Sequence, residues 1–260
     1  MSVETKFIRA LHSHRHEHTR LHAEADKGHE IFQSSLLNSL LKGIYDGNLS
    51  YRELAAHGDF GLGTFNALDG EMIAFDGNFY QILSSGKANA VKPQQKTPFA
   101  LVTFFKPEAH LSVATPMSYE EFGRQLDKVV PSTNLFYSVK VEGHFDLIKA
   151  RSVPKQKKPY RPLLEVVEEQ SLFEFKNIKG TMVGFRFPDY TQGINVPGYH
   201  LHFLSEDKSR GGHVTSFSMH GVKIAVDHTA NLHLEMPQQG DFLKARLAKG
   251  DADAIRKIER

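Results

Sequence analysis

The chain is 260 residues long, which is enough to bury a substantial core in one large domain or in two lobes. Its formal net charge of +2 gives no electrostatic reason to expect nucleic acid or a membrane surface as a partner. It contains no cysteine, which excludes disulfide bonds and thiol catalysis. No apolar run approaches the length of a membrane span and the N-terminus lacks the apolar core of a signal peptide, so we expect a cytoplasmic protein.

The first segment, residues 1–28, is polar and rich in histidine. Its histidines include His12, His14, His16, His18 and His22. This composition favours a mobile or weakly helical extension with solvated histidines, although the same cluster offers imidazoles to a metal ion.

Two helices are predicted next. Leucine and isoleucine recur at helical spacing from Leu36 to Ile44, which predicts an amphipathic helix that stops near Gly47. The segment Ser50–Glu53 has the sequence of a capping box, which predicts a short helix that ends at Gly58.

The chain then changes to strand character. Three strands are predicted over residues 64–68, 71–75 and 78–83, and they are separated by the tight-turn pairs Asp69-Gly70 and Asp76-Gly77. This pattern predicts a three-strand meander, and residues 99–105 predict a further strand.

The middle of the chain predicts a helix and two hairpins. The helix is capped by Ser118 and ends before Pro131. Residues 136–141 and 145–149 are predicted strands around Gly143, and residues 173–178 and 181–187 are predicted strands around Lys179-Gly180. Between these hairpins, the basic run Arg151–Arg161 indicates a solvated crossover, and a short helix is predicted over residues 163–170.

The pattern as a whole predicts an α/β fold of the α+β type, with two β-rich lobes and peripheral helices. We expect an N-terminal mixed α/β lobe over residues 29–160 and a C-terminal β-rich lobe over residues 161–260. The second lobe continues with strands over residues 221–226 and 232–235. It ends with short helices over residues 241–248 and 251–258.

The segment Gly198–Leu204 is the most informative part of the chain. Successive side chains of a strand point to opposite faces, so His200 and His202 share one face. The polar stretch that follows is closed by two glycines and predicts a hairpin connection into a second strand. If Leu204 lies opposite His213, then His213 joins the face of the other two histidines, whereas a slip of one residue would send it to the other face.

Three imidazoles on one face of this hairpin predict a metal site in the C-terminal lobe. Neutral imidazoles suit Zn²⁺, and they also suit Fe, Ni, Cu or Co. Three protein ligands leave positions open for water or substrate, which is the pattern of a catalytic rather than a structural zinc site. The chain has no cysteine that would complete a closed site.

Two other motifs are weaker. Gly61-Leu-Gly63 resembles the start of a dinucleotide loop, but no predicted strand precedes it and hairpins rather than a helix follow it. His200 and His202 with Glu206 approximate the metal motif of cupins, but the next glycine comes too early and Glu206 is equally suited to a turn. A cupin-like metal-dependent oxygenase or isomerase remains an alternative, as does a non-enzymatic metal-binding protein that uses the N-terminal histidines.

Several longer motifs occur together in this chain. They are Leu68–Glu71, Asp76–Tyr80, Val183–Phe185, Gly193–Leu204 and Gly211–Val214. In combination they closely resemble the α-acetolactate decarboxylase family, from about residue 30 to the C-terminus. The N-terminal histidine-rich segment is a departure from the pattern of that family.

The resemblance implies a metal-dependent carboxy-lyase that converts acetolactate, its small-molecule substrate, to acetoin and carbon dioxide, in the formation of acetoin and 2,3-butanediol. It implies that zinc is bound by His200, His202 and His213. It also implies active-site roles for Glu71, Arg151 and Glu259, a two-lobed α/β fold and a homodimer.

The chemistry of such a substrate fits these residue types. Loss of carbon dioxide from a 2-hydroxy-3-keto acid pushes an electron pair towards the ketone oxygen and produces an enediolate, whose developing charge an open Zn²⁺ site would stabilise without an organic cofactor. The guanidinium of Arg151 suits the departing carboxylate or the enediolate, and Glu71 suits proton delivery to one face of the enediolate. Glu259 lies one residue from the end of the chain, and the resemblance implies a tail that folds over the pocket.

Overall fold

The structure is a computed structural model that describes residues 29–247. Its strands are β1 (Glu30–Ser34), β2 (Leu49–Ser50), β3 (Phe60–Thr64), β4 (Glu71–Phe75), β5 (Asn78–Ile82), β6 (Ala88–Ala90), β7 (Lys96–Thr97), β8 (Ala100–Thr103), β9 (Ala109–Val113), β10 (Met117–Ser118), β11 (Phe136–Ser152), β12 (Ser171–Phe187), β13 (Gly198–Ser205), β14 (Gly211–Thr229) and β15 (Asn231–Glu235). Its α-helices are α1 (Leu37–Leu41), α2 (Tyr51–Leu54), α3 (Tyr119–Val129) and α4 (Leu163–Val166). No helix in this range is long and apolar enough to cross a membrane.

Most strands belong to two sheets. The first sheet has seven strands in the order β15-β1-β8-β3-β4-β5-β6. The second has six strands, in the order β10-β14-β11-β12-β13 with β9 paired to β14. Because β13 also pairs with β14, the strands β11 to β14 form a closed ring of backbone pairings. The prediction of a sheet-rich α+β fold is therefore confirmed.

The two sheets share an apolar core. One buried cluster contains Leu62 and Ile73 of the first sheet together with Val183 and Phe185 of the second. The ring of Phe60 meets that of Phe185 edge to face, with their centroids 6.0 Å apart. The functional cleft described below opens where these two sheets meet.

The other faces of the sheets are covered by helices. Phe122 and Leu126 of α3 pack into a second cluster with the apolar side chains of β11 and β14. Tyr51 and Leu54 of α2 belong to a third cluster with residues of the first sheet. The division into lobes near residue 160 stays a prediction, and we note that β11 lies in the second sheet while β15 returns to the first.

The predicted caps and one tight turn are confirmed. The Ser50 side chain accepts a hydrogen bond from the Glu53 backbone N–H, and the Glu53 carboxylate accepts one from the Ser50 N–H, so both donors at the start of α2 are satisfied. At the start of α3 the Ser118 side chain accepts a hydrogen bond from the Glu121 backbone N–H, without the reciprocal bond. Asp76 and Gly77 both have positive φ, at 52° and 74°, which is the backbone geometry of a two-residue hairpin turn between β4 and β5.

The two hairpins predicted around Gly143 and Gly180 are wrong. Each glycine lies inside a continuous strand of 17 residues, and the two are paired across β11 and β12. A Cβ at Gly143 would lie 2.8 Å from the carbonyl oxygen of Gly221, and one at Gly180 would lie 2.4 Å from that of Leu204. These glycines permit a close approach of neighbouring strands, which the sequence pattern does not distinguish from a turn.

Other boundaries differ from the predictions. Helix α1 ends at Leu41 rather than near Gly47. Strand β3 ends at Thr64, and the residues that follow form a 3₁₀ turn over Asn66–Leu68 instead of a strand. Strand β14 runs through residues 221–226, and Gly240–Lys244 is a 3₁₀ helix. The predicted helix over residues 251–258 and the N-terminal extension lie outside the described residues.

Candidate active site

Three histidines converge where β13 pairs with β14. His200 and His202 lie on one face of β13, and His202 is paired directly with His213 of β14. The observed register is displaced by two residues from the prediction, because Leu204 pairs with Gly211. A shift of two preserves the face of every side chain, so His213 still joins the other two histidines. One nitrogen from each ring lies within 4.8 Å of the others, and all three residues are buried.

The backbone of the first sheet orients His202. Its Nδ1 lies 2.7 Å from the carbonyl oxygen of Met72 in β4. Because a carbonyl only accepts, Nδ1 carries the proton and the lone pair is on Nε2. This Nε2 lies 3.3 Å from Nδ1 of His213, so the lone pair faces the other histidines. A metal-binding histidine is typically held in this way by a hydrogen bond from its other nitrogen.

Burial keeps the three imidazoles neutral. Desolvation, with a smaller contribution from the charge of Arg151, lowers the pKa of His200 to about 3. Desolvation also holds the pKa values of His202 and His213 well below their usual range. Glu71 Oε2 is 3.6 Å from Nε2 of His202, and since that ring is neutral the contact is polar rather than ionic. Neutral imidazole is the form that binds a metal ion.

The donor set fits a zinc ion. Nδ1 of His200 is buried and has no hydrogen-bond partner among the described residues. An unsatisfied buried group of this kind costs about 1–3 kcal/mol, and a metal ion would relieve that cost. With only imidazoles converging, the site suits Zn²⁺ and leaves positions for other ligands.

Arg151 lies beside the histidines. It is the penultimate residue of β11 and is paired with His213 across the sheet. Its side chain is buried, Nη1 donates a hydrogen bond to Gln170 Oε1 at 3.1 Å, and Nε has no partner among the described residues. The prediction of a solvated crossover is therefore wrong for Arg151. A buried guanidinium with an unused donor is suited to bind an anionic group.

Glu71 approaches the same site from the first sheet. It is the first residue of β4 and pairs with Thr64 of β3. The Thr64 hydroxyl donates to the carbonyl oxygen of Gly70 at 2.6 Å, which fixes the turn immediately before Glu71. In that turn Ala67 and Leu68 have φ values of 61° and 52°, a left-handed conformation that is costly for residues other than glycine. The side chain of Glu71 is 13% exposed.

These groups line one cleft of about 490 Å³, part of which opens to solvent. The remaining lining residues are mostly apolar: Leu37, Leu40, Gly63, Thr64, Leu68, Phe99, Val153, Leu163 and Val167. The cleft therefore combines these polar groups with a mostly apolar lining, which we call the apolar wall. This is the usual composition of a small-molecule site.

Several contributors to the site were not predicted from the sequence. No sequence motif marks the Met72 carbonyl or the Gln170 side chain, because each contributes through a contact that forms only when the sheets pack together. The leucine spacing of α1 identified a buried face but not a cleft. Glu206 is exposed in the turn between β13 and β14, as expected of a turn residue. Glu259 lies outside the described residues.

The fold and the cleft define a sheet-rich α+β enzyme that acts on a small molecule. The family model of alpha-acetolactate decarboxylase matches residues 31–249. Alpha-acetolactate decarboxylase from Methylococcus capsulatus is 49% identical over 259 residues, which covers 100% of both chains. The chain therefore belongs to the alpha-acetolactate decarboxylase family and is a carboxy-lyase.

Other relatives agree. Alpha-acetolactate decarboxylase from Methanosarcina mazei is 47% identical over 230 residues, covering 88% of this chain and 80% of that protein. The crystal structure of alpha-acetolactate decarboxylase from Bacillus subtilis strain 168 superposes with a TM-score of 0.87 at 41% identity, covering 88% of this chain and 99% of that chain. These relationships argue against the cupin-like and non-enzymatic alternatives.

Proposed function

We propose that this enzyme converts 2-acetolactate to acetoin and carbon dioxide with Zn²⁺ held by His200, His202 and His213. The observation that carries the proposal is the convergence of three neutral, buried imidazoles on a cleft that also contains a buried arginine and a glutamate. When bound there, the ion would supply Lewis-acid stabilisation of negative charge on the substrate oxygens.

Arg151 binds the anionic part of the substrate. Its Nη1 is held by Gln170, so the guanidinium plane is fixed before substrate arrives and its remaining donors are available to a carboxylate. As the bond between C2 and the carboxylate carbon breaks, its electron pair forms the C2–C3 double bond and charge moves to the C3 oxygen. A fixed cation near this charge lowers the barrier without reorganisation.

Glu71, in its protonated form, supplies the proton that completes the reaction. The enediolate takes this proton at C2, the carbon that lost carbon dioxide, and its C3 oxygen returns to a ketone, which gives acetoin. Glu71 then regains a proton from solvent, so one proton is consumed for each carbon dioxide released. Glu71 belongs to the first sheet and Arg151 to the second, and both line the cleft, so a bound substrate can contact both side chains. Its carboxylate is mostly shielded from water, which favours a controlled proton transfer.

The apolar wall receives the two methyl groups of acetolactate. It includes Leu37 and Leu40 of α1 and Leu163 of α4, which line the same cleft as the polar groups. They also exclude water from the carbanion-like carbon, which favours protonation by a positioned side chain.

We also propose that the C-terminal tail, through Glu259, closes over this cleft and helps to position protons or water. Deleting residues 257–260 is then expected to reduce turnover while zinc stays bound. Full activity of that truncated chain would remove Glu259 from the mechanism.

We further propose that the enzyme is a homodimer in the cytoplasm and that it acts in the formation of acetoin and 2,3-butanediol.

The central experiment is anaerobic release of carbon dioxide and acetoin from racemic acetolactate, measured before and after removal of metal. We expect the two products in equal amounts, lost on chelation and restored by Zn²⁺. Because residues 1–28 also contain histidines, zinc content is compared with that of a His200→Ala variant, which keeps the N-terminal segment. Full turnover by a zinc-free enzyme would contradict the metal assignment.

A further inference from the structure

A second group of ligand-type side chains lies away from the active-site cleft. His29, Glu108 and Asp227 each bring one donor atom within 4.8 Å of the other two, and His228 contacts Glu108. We refer to these four residues as the His29 cluster. None of them lines the active-site cleft.

The two carboxylates of the His29 cluster are withdrawn from water. The side chains of Glu108 and Asp227 are 5% and 4% exposed. Burial raises the pKa of Asp227, and the nearby charge of Glu108 adds to that effect. Two buried carboxylates are costly unless positive charge lies between or beside them.

The contacts within the His29 cluster show where a positive charge would lie. Nδ1 of His29 is 3.2 Å from Asp227 Oδ1 and 3.9 Å from Glu108 Oε1. The backbone N–H of Lys106 donates to the other oxygen of Asp227 at 3.1 Å, which leaves Oδ1 directed at His29. Two ligands of one tetrahedral zinc ion are separated by roughly 3.4 Å, and the two distances from His29 lie on either side of that value, so a small adjustment of the side chains would bring the donors to ligand spacing.

A third histidine-containing group is a weaker candidate. His144, Asp146 and His220 also bring their donor atoms together, but the Asp146 and His220 side chains are 35% and 44% exposed. Water can solvate those charges, so that group needs no ion.

The His29 cluster lies where three distant parts of the chain meet, so an ion bound there would stabilise the fold. His29 immediately precedes β1 of the first sheet, Glu108 lies in the connection from β8 to β9, and Asp227 lies near the end of β14 in the second sheet. The Thr229 hydroxyl also contacts the carbonyl oxygen of His29. One ion at this point would join three distant parts of the chain and tie the two sheets together.

We propose that His29, Glu108 and Asp227 bind a structural divalent transition-metal ion, with His228 as an outer partner that orients Glu108. One imidazole and two carboxylates suit Zn²⁺ or Mn²⁺. This site is distinct from the three-histidine site in place and in donor type, and it stands whether or not zinc is the catalytic metal.

The direct test is X-ray diffraction from crystals of the full chain that has been stripped with a chelator and reloaded with Zn²⁺. Data collected above the zinc absorption edge are expected to show an anomalous peak about 2.0–2.2 Å from donor atoms of His29, Glu108 and Asp227. A peak at the three-histidine site with none at the His29 cluster would overturn the proposal.

A variant comparison in solution tests the same point. Asp227→Asn keeps the shape of the side chain and can still accept the Lys106 hydrogen bond, and we expect it to hold one zinc ion fewer per chain than the parent. His233→Ala is the matched control, because His233 is an exposed histidine on neighbouring β15, 3.6 Å from a Glu30 carboxylate oxygen. The control is expected to keep the full zinc content, and equal zinc in parent and Asp227→Asn would refute the site.

Activity and melting temperature separate this site from the catalytic one. Asp227→Asn is expected to decarboxylate acetolactate at the parental rate, while added Zn²⁺ raises its melting temperature less than that of the parent. If Asp227→Asn does not fold, Glu108→Gln replaces it with the same expectation. A zinc-induced stabilisation equal to that of the parent would count against the proposal.

Discussion

The three-histidine site and the His29 cluster both gather ligand-type side chains, but in different surroundings. At the first, three neutral imidazoles lie beside Arg151 and Glu71 in a cleft that is open to a small molecule. At the second, two carboxylates are buried against imidazoles, and none of those groups lines the cleft. The two groups therefore differ in donor type, in the charge of their neighbours and in access to the cleft.

The largest expected difference between the two sites comes from His202→Ala. This change removes the imidazole that Met72 orients, so we expect acetoin release to fall by about a thousandfold or more because transition-state charge is no longer stabilised. The measurement is turnover together with zinc content. Asp227→Asn is the control that loses no activity, and unchanged turnover of His202→Ala with zinc retained would contradict the assignment.

Glu71→Gln removes a proton donor from the cleft without changing the shape of the side chain. We expect kcat to fall by about 10²- to 10⁴-fold, which is the usual contribution of general acid–base catalysis. Zinc content should stay at the parental value. A variant that loses both zinc and activity would instead place Glu71 among the metal-binding groups.

Arg151→Lys keeps the charge beside the histidines but removes the planar fork of donors. We expect kcat/KM to fall by about a hundredfold, because one amine cannot reproduce the paired hydrogen bonds to a carboxylate. Gln170→Ala is the matched, milder change: Arg151 stays but loses the partner of Nη1, and about a tenfold loss is expected. Equal losses for the two variants would show that Gln170 itself contacts the substrate.

The smallest effect concerns stability against pH in the metal-free enzyme. The folded-state pKa values of the three active-site histidines lie below the usual value of about 6.5, so the unfolded chain binds more protons as the pH falls. The stability that these neutral imidazoles contribute is fully present above pH 6.5 and is lost as the pH falls below that value, for His200 down to about pH 3.

Asp227 contributes to stability with the opposite sign, because its pKa is raised and acid relieves the burial of its charge.

Urea unfolding of the parent and of His200→Gln between pH 7 and pH 4 checks the prediction for the histidines. The free energy of unfolding of the variant should fall less steeply with pH than that of the parent. A decline of equal slope in both proteins would mean that His200 is charged in the folded state.

The sequence predicted the common face of the three histidines because a strand has a fixed alternation of faces. His200 and His202 must share a face wherever the strand lies, and His213 reached that face although the predicted register was displaced by two residues. The capping box at Ser50 was predictable because its hydrogen bonds join residues that are close together in the sequence.

The hairpins around Gly143 and Gly180 were not predictable, because glycine serves both turns and close strand approach. Arg151 illustrates the same limit for charge. The basic residues that follow it in the sequence predicted a solvent-exposed side chain, whereas the pairing of β11 with β14 places it beside His213.

Residue order alone was therefore enough to predict the shared face of the three histidines and the family, since these depend on residue type and on short-range geometry. Which groups surround the histidines depends on how distant parts of the chain pack. The Met72 carbonyl, the Gln170 side chain and the apolar wall reach the histidines only when the two sheets pack together. Burial between those sheets is also what keeps the imidazoles neutral, because desolvation depends on the whole packed environment and on no local pattern.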